Sequence, residues 1–127
     1  MDFTVSEELT SVQQLAQQIL TDFTAVDQLK QVEQQEERFN PTLWQALADA
    51  GLLGLDIEEA QGGTDLGFYA LAALCEEVGR TVAPAPVVPV LVGAAGTLRR
   101  FAPAQMKERW LPGIADGSHR LTSALEE

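Results

Sequence analysis

An all-α fold, an up-and-down helical bundle of about five to six helices, is what these 127 residues predict. A short C-terminal strand-like segment would lead into a β-domain. Three observations carry this reading. Apolar residues recur at three- and four-residue spacing along most of the chain, start and stop signals separate these runs, and strand-like alternation is confined to the last eight residues.

The elements follow in order. Leu9, Val12, Ala16, Ile19, Leu20 and Phe23, behind Ser6 as cap, predict an amphipathic helix over residues 7–23. Eight glutamines fall in residues 13–35, and the apolar residues among them indicate a solvated helix face rather than a disordered tract. Asn40-Pro41 starts the next helix, an N-cap followed by a proline whose missing N–H costs nothing at that position. This helix buries Leu43, Trp44 and Leu47, and Gly51 ends it. LLGLDI leads to the loop EEAQGGTDLG, whose glycines point to backbone angles that side chains forbid. A third helix is expected from near Asp65 to Gly79, with Leu71, Leu74, Cys75 and Val78 on one face. Pro84, Pro86 and Pro89 delay the next helix to Pro86 or Val87, from where it runs to Leu98. LRRF reads as a turn. Pro103 then opens a last helix with Met106 and Trp110 inward, which Pro112 and Gly117 break. Beyond it Leu121, Ser123 and Leu125 alternate with Thr122, Ala124 and Glu126. A lone strand pairs with another chain, or with a sheet that lies downstream.

Composition excludes several function classes. Hydrophobic content of 46% and charged content of 21% are those of a soluble globular protein, and no apolar run approaches the ~20 residues that span a bilayer, so no membrane insertion is expected. MDFTVSEEL lacks the basic and apolar regions of a signal peptide, which makes cytoplasmic the expected location. Cys75, the single cysteine, can form neither an internal disulfide nor a Cys-based metal site. The net charge of -11 is concentrated in residues 1–60, with twelve acids against two bases, a distribution opposed to nucleic-acid binding.

No catalytic constellation and no metal site can be read. His119, the one histidine, sits in a Gly-Ser-His turn without ligand partners at a suitable spacing and reads as a surface residue. Glu7-Glu8, Glu58-Glu59 and Glu76-Glu77 are adjacent pairs, and helix neighbours diverge by about 100°, so they read as solvated acids. QGGTDLG matches neither nucleotide-loop pattern. Arg99, Arg100, Lys107, Arg109 and Arg120 could face an anion, though compensation of helix ends explains most of them.

Three segments in register resemble the N-terminal domain of the acyl-CoA dehydrogenase family. LADAGLLGLDIEEAQGGTDLG resembles its run from the second helix through a Pro-Glu-x-x-Gly-Gly loop, with Glu58 in the proline's place. LAALCEEVGR resembles its Glu-Glu-x-Gly-Arg helix. QMKERWLPGIADGSHRLTSALEE resembles the passage from the last helix into the first strand of the middle domain. EEVGRTVAPAP is similar to bacterial members that handle CoA thioesters of bulky or steroid-derived acids, some built from two subunit types.

The resemblance implies a helical domain over residues 1–118 and the start of a β-domain over residues 119–127. It implies an FAD-dependent oxidoreductase that dehydrogenates acyl-CoA thioesters at the α and β carbons, in fatty acid or steroid catabolism. Such an enzyme is a homo- or hetero-oligomer that passes electrons to a separate acceptor. The glutamate base belongs to the C-terminal part, so no catalytic residue is expected in this chain, which alone should be inactive. The implied acyl-pocket residues are Pro86, Val87, Val90 and Leu91. The implied flavin contacts are Ser123, Leu125 and Glu126, with Glu127 in the motif's glutamate position. Glu126 replaces a threonine, and a carboxylate beside a reduced, anionic flavin is unfavourable unless paired. The alternatives are therefore a flavin-poor partner subunit of a heteromeric dehydrogenase, or a non-catalytic helical interaction module.

Overall fold

A computed structural model of the chain describes residues 5–124 and Glu126. Within those residues the structure is all-helical, with α1 (Glu7–Phe23), α2 (Val26–Glu33), α3 (Pro41–Asp49), α4 (Phe68–Thr81), α5 (Gly96–Phe101) and α6 (Ala104–Ala115). Two 3-10 turns, Leu52–Gly54 and Glu59–Gln61, and a π-helical segment, Val88–Ala95, complete it.

Helix α1 begins where the sequence says it should. The Ser6 hydroxyl accepts from the Leu9 N–H at 3.2 Å, satisfying an amide that no turn of helix precedes. Val12, Ala16 and Leu20, four residues apart, form its buried stripe, which packs along α4. Ala70 and Ala73 lie on the buried face of α4, and such short side chains let two helices approach closely. Thr24 closes α1 by returning its hydroxyl to the Leu20 carbonyl at 2.7 Å. That stop splits the glutamine-rich stretch in two, and Gln28 Oε1 accepts the Ala25 N–H at 3.2 Å to start α2. Most of these glutamines are exposed, as a solvated face requires.

Asn40 caps α3 through hydrogen bonds from Thr42 N at 3.1 Å and Leu43 N at 3.0 Å. The inward residues Leu43, Trp44 and Leu47 join Leu20, Leu52, Leu53, Leu74, Leu111 and Ile114 in one core. Each such leucine contributes about 2 kcal/mol through the area it removes from water.

The loop after α3 folds back on the 3-10 turn before it. Thr64 N donates to Gly54 O at 2.9 Å, Gly67 N to Leu55 O at 3.0 Å and Asp65 N to Ile57 O at 3.0 Å. The two central glycines serve different needs. Gly62 has φ +84°, the left-handed region expected from sequence. Gly63 is there for space, because a Cβ would run into the Ile57 carbonyl and stand 2.7 Å from Gly54 O.

Several local expectations are corrected. Helix α4 starts at Phe68, because Asp65 (φ 51°) and Gly67 (φ 84°) still belong to the left-handed loop. LRRF is no turn: α5 continues the π-helical segment through it to Phe101. Pro112 does not break α6, which runs on to Ala115 around the buried Leu111 and Ile114. Core burial there outweighs one lost backbone hydrogen bond. Met106 is exposed and Trp110 only half-buried, since the inward face of α6 is that of Leu111 and Ile114. Glu77 is 6% exposed rather than solvated, and Arg80 grips it one turn later at 2.7 Å.

Candidate functional site

The stretch that connects α4 to α5 owes its shape to three prolines. After Val82, in a left-handed conformation at φ 53°, the chain makes two tight turns, Ala85 N to Ala83 O and Val87 N to Ala85 O, each at 2.8 Å. Pro84 O accepts Asn40 N at 3.4 Å and ties this entry to the cap of α3. Pro89 has no N–H to donate and its ring crowds the carbonyl four residues back, which favours the wider π-helical turn over Val88–Ala95. Gly93, Ala94 and Ala95 fill that turn with short side chains.

This face forms one wall of an open cleft of about 530 Å³, within the size range of small-molecule sites. Phe39, Pro84, Pro86, Pro89, Val90 and Leu121 supply apolar walls, and Glu37, Arg38 and Arg120 supply charge. A second cleft of about 290 Å³ opens between Phe68, Leu71, Leu91 and Phe101. There Arg99 lines the cleft and is bonded to Asp56 at 2.7 Å, which ties α5 to the turn before the glycine loop.

The tail that crosses the first cleft is pinned at both sides. His119 N donates to Gly113 O at 2.7 Å, and the imidazole meets the Trp110 ring edge-on at 5.5 Å. His119 is exposed, as expected, yet it anchors the turn. Trp44 Nε1 reaches across to Gly117 O at 3.1 Å. Asp116 accepts from Ser118 N at 2.9 Å, and the Ser118 side chain and N–H together hold its carboxyl below the usual carboxylate range. Burial pushes the Cys75 thiol up, as suits a packing role.

The sequence-derived residues fall into three groups. Pro86 and Val90 line the main cleft, whereas Val87, fully buried, and Leu91 point into the bundle core, Leu91 also bordering the second cleft. Ser123 is exposed and its Oγ lies 3.7 Å from where a Gly93 Cβ would stand, so it sits against the π-helical segment. Glu126 is exposed, while Leu125 and Glu127 lie outside the described residues. Residues 120–124 make no backbone hydrogen bond to other described residues, so within that set their N–H and C=O groups are of the kind that would suit the polar edge of a flavin. The Glu126 carboxylate would be unfavourable beside an anionic flavin unless paired. Sequence reasoning missed Pro89 and Phe39 as cleft residues and named Arg120 only as one of five bases that could face an anion. The helical spacing of Pro86, Pro89 and Val90 could have revealed Pro89, but the contribution of Phe39 is purely tertiary.

Residues 6–118 match the family described as the acyl-CoA dehydrogenase N-terminal domain. The chain belongs to that family. It is 30% identical over 126 residues to the acyl-CoA dehydrogenase FadE27 of Mycobacterium tuberculosis, covering 99% of this chain and 34% of that protein. Among solved structures it superposes on a variant of the Tcur3481–Tcur3483 steroid ACAD with a TM-score of 0.91 and 51% identity, over 98% of this chain and 34% of that one. It also superposes on the ChsE4–ChsE5 complex of Mycobacterium tuberculosis with a TM-score of 0.89 and 30% identity, over 96% and 34%. The chain thus spans about a third of the length of these relatives. Among the described residues no helix is long and apolar enough to cross a membrane.

Proposed function

We propose that this domain serves an FAD-dependent acyl-CoA dehydrogenase of bacterial origin that acts in the cytoplasm on bulky, steroid-type acyl-CoA thioesters, and that it supplies a wall of the acyl cleft. The observation that carries this reading is the face made by Pro86, Pro89 and Val90, which offers the open cleft apolar side chains and no unpaired N–H donor, the Val90 N–H being bonded to Pro86 O. A rigid, bulky acyl group needs width and desolvation, and this wall provides both. The structural relative described as a steroid ACAD supports the substrate class, and the paired names of both structural relatives support a heteromer.

In this reading residues 119–127 begin the β-domain, and Ser123, Leu125 and Glu126 approach the flavin. Redox chemistry would come from the bound flavin, as an acceptor for the substrate's β-hydride. The chain's own residues exclude water and orient the acyl group, while the base that takes the α-proton belongs to the C-terminal part. A separate electron acceptor would complete the cycle.

Expression of the complete protein with its partner subunit tests this. A yellow protein that dehydrogenates steroid-type acyl-CoA is expected, with the 127-residue chain inert. Oxidation of acyl-CoA by the isolated chain would refute the reading. The exposed Glu126 carboxylate favours a second form of it, in which this subunit is the flavin-poor partner. Purified alone, that subunit would be colourless, and flavin would follow the other subunit.

A further inference from the structure

The cleft that this reading assigns to the acyl group holds one feature that a hydrocarbon ligand does not require. The guanidinium carbon of Arg120 lies over the Phe39 ring, 3.9 Å from its centroid. Phe39 meets Trp44 edge-on at 6.3 Å, and Trp44 Nε1 bonds Gly117 O at 3.1 Å, three residues before Arg120. The relay closes on itself, so the arginine is held from below through Phe39 and from behind through its own chain. Such a contact does not consume the guanidinium N–H donors as hydrogen bonds. Among the described residues the two ion pairs are Arg80 with Glu77 and Arg99 with Asp56, and Arg120 is in neither. Glu37 and Arg38, adjacent on the facing loop, offset one another's charge at the cleft. What remains is one oriented set of donors beside the walls of Pro86, Pro89 and Leu121.

We propose that Arg120 is a specificity residue that recognises a neutral oxygen acceptor, a ring carbonyl or hydroxyl, carried by the acyl group away from its thioester. The inference rests on the acyl-cleft reading above and adds the polar group that the substrate must bear. A plain hydrocarbon would leave the arginine to water and gain nothing from it.

Two acyl-CoA thioesters that differ only by a ring carbonyl against a methylene test the proposal on the complete enzyme. The unsubstituted enzyme is expected to prefer the carbonyl compound by about tenfold in kcat/KM, the return on one charged hydrogen bond at a partly solvated site. Arg120→Ala should erase that preference, chiefly by raising KM for the carbonyl compound towards that of the methylene compound. Arg120→Lys should recover part of it, because the charge returns without the planar fork. If Arg120→Ala does not fold, Arg120→Met keeps the apolar stem over Phe39 and reads the same ratio. An equal loss on both compounds would overturn the proposal by pointing to the CoA phosphates or to the fold. An unchanged ratio would overturn it as well. Turnover of neither compound by the unsubstituted enzyme would instead remove the acyl-cleft reading, and this proposal with it.

Discussion

Gly63→Ala is a sharp test of how the glycine loop is held. A Cβ at this position would meet the Ile57 carbonyl and stand 2.7 Å from Gly54 O, and both obstacles are backbone, which cannot rotate away. The loop must therefore lift from the 3-10 turn, and the bonds lost first are Thr64 N to Gly54 O and Asp65 N to Ile57 O, at 2.9 and 3.0 Å. Two backbone hydrogen bonds at about 1 kcal/mol each, plus residual overlap, come to about 3 kcal/mol. That is a large share of the 5–15 kcal/mol typical of a domain and lowers the melting temperature by roughly 10 °C. Gly62→Ala, with φ +84° and nothing within 4 Å, should cost only the left-handed strain of about 1 kcal/mol. Urea unfolding followed by circular dichroism gives both values, and amide exchange at Thr64 and Asp65 reports whether the loop has lifted. If Gly63→Ala proves as mild as Gly62→Ala with both amides still protected, the close-approach argument is refuted.

Two further outcomes are expected. Val82 is a β-branched residue at φ 53° whose side chain is 75% exposed, so Val82→Gly should raise stability by about 1 kcal/mol, visible as a higher melting temperature. Burial raises the Cys75 thiol above its ordinary 9.0, so the unfolded chain loses its proton first as pH rises. The Cys75 contribution to stability should be level below pH 9.0 and decline above it, and Cys75→Ala should remove that share of the slope in unfolding midpoints measured across the range.

Much of the fold was legible because it is local. Helix α1 begins and ends where its stripe and its Ser6 cap predict, and Asn40-Pro41 starts α3 as capping chemistry requires. Reading failed where tertiary burial overrode a local signal. Pro112 should end a helix, yet Leu111 and Ile114 hold α6 together around it. Glu77 looked like one of a solvated pair, although its spacing to Arg80 carried the clue that they would join. Of the candidate site, the proline entry and its small-residue helix were visible in the chain. Which of their faces looks outward was not, because a π-helical turn changes the period on which such faces are counted.

The sequence by itself determined an all-helical domain, its main helix starts and its family, since each rests on residues close in the chain or on motifs in fixed order. Only the tertiary structure decided that Arg99 is spent on Asp56, that Gly63 answers to Ile57, and that Arg120 lies on Phe39 across a cleft. These contacts join residues far apart in sequence. Neither periodicity nor spacing encodes their distance, which packing of the whole core sets.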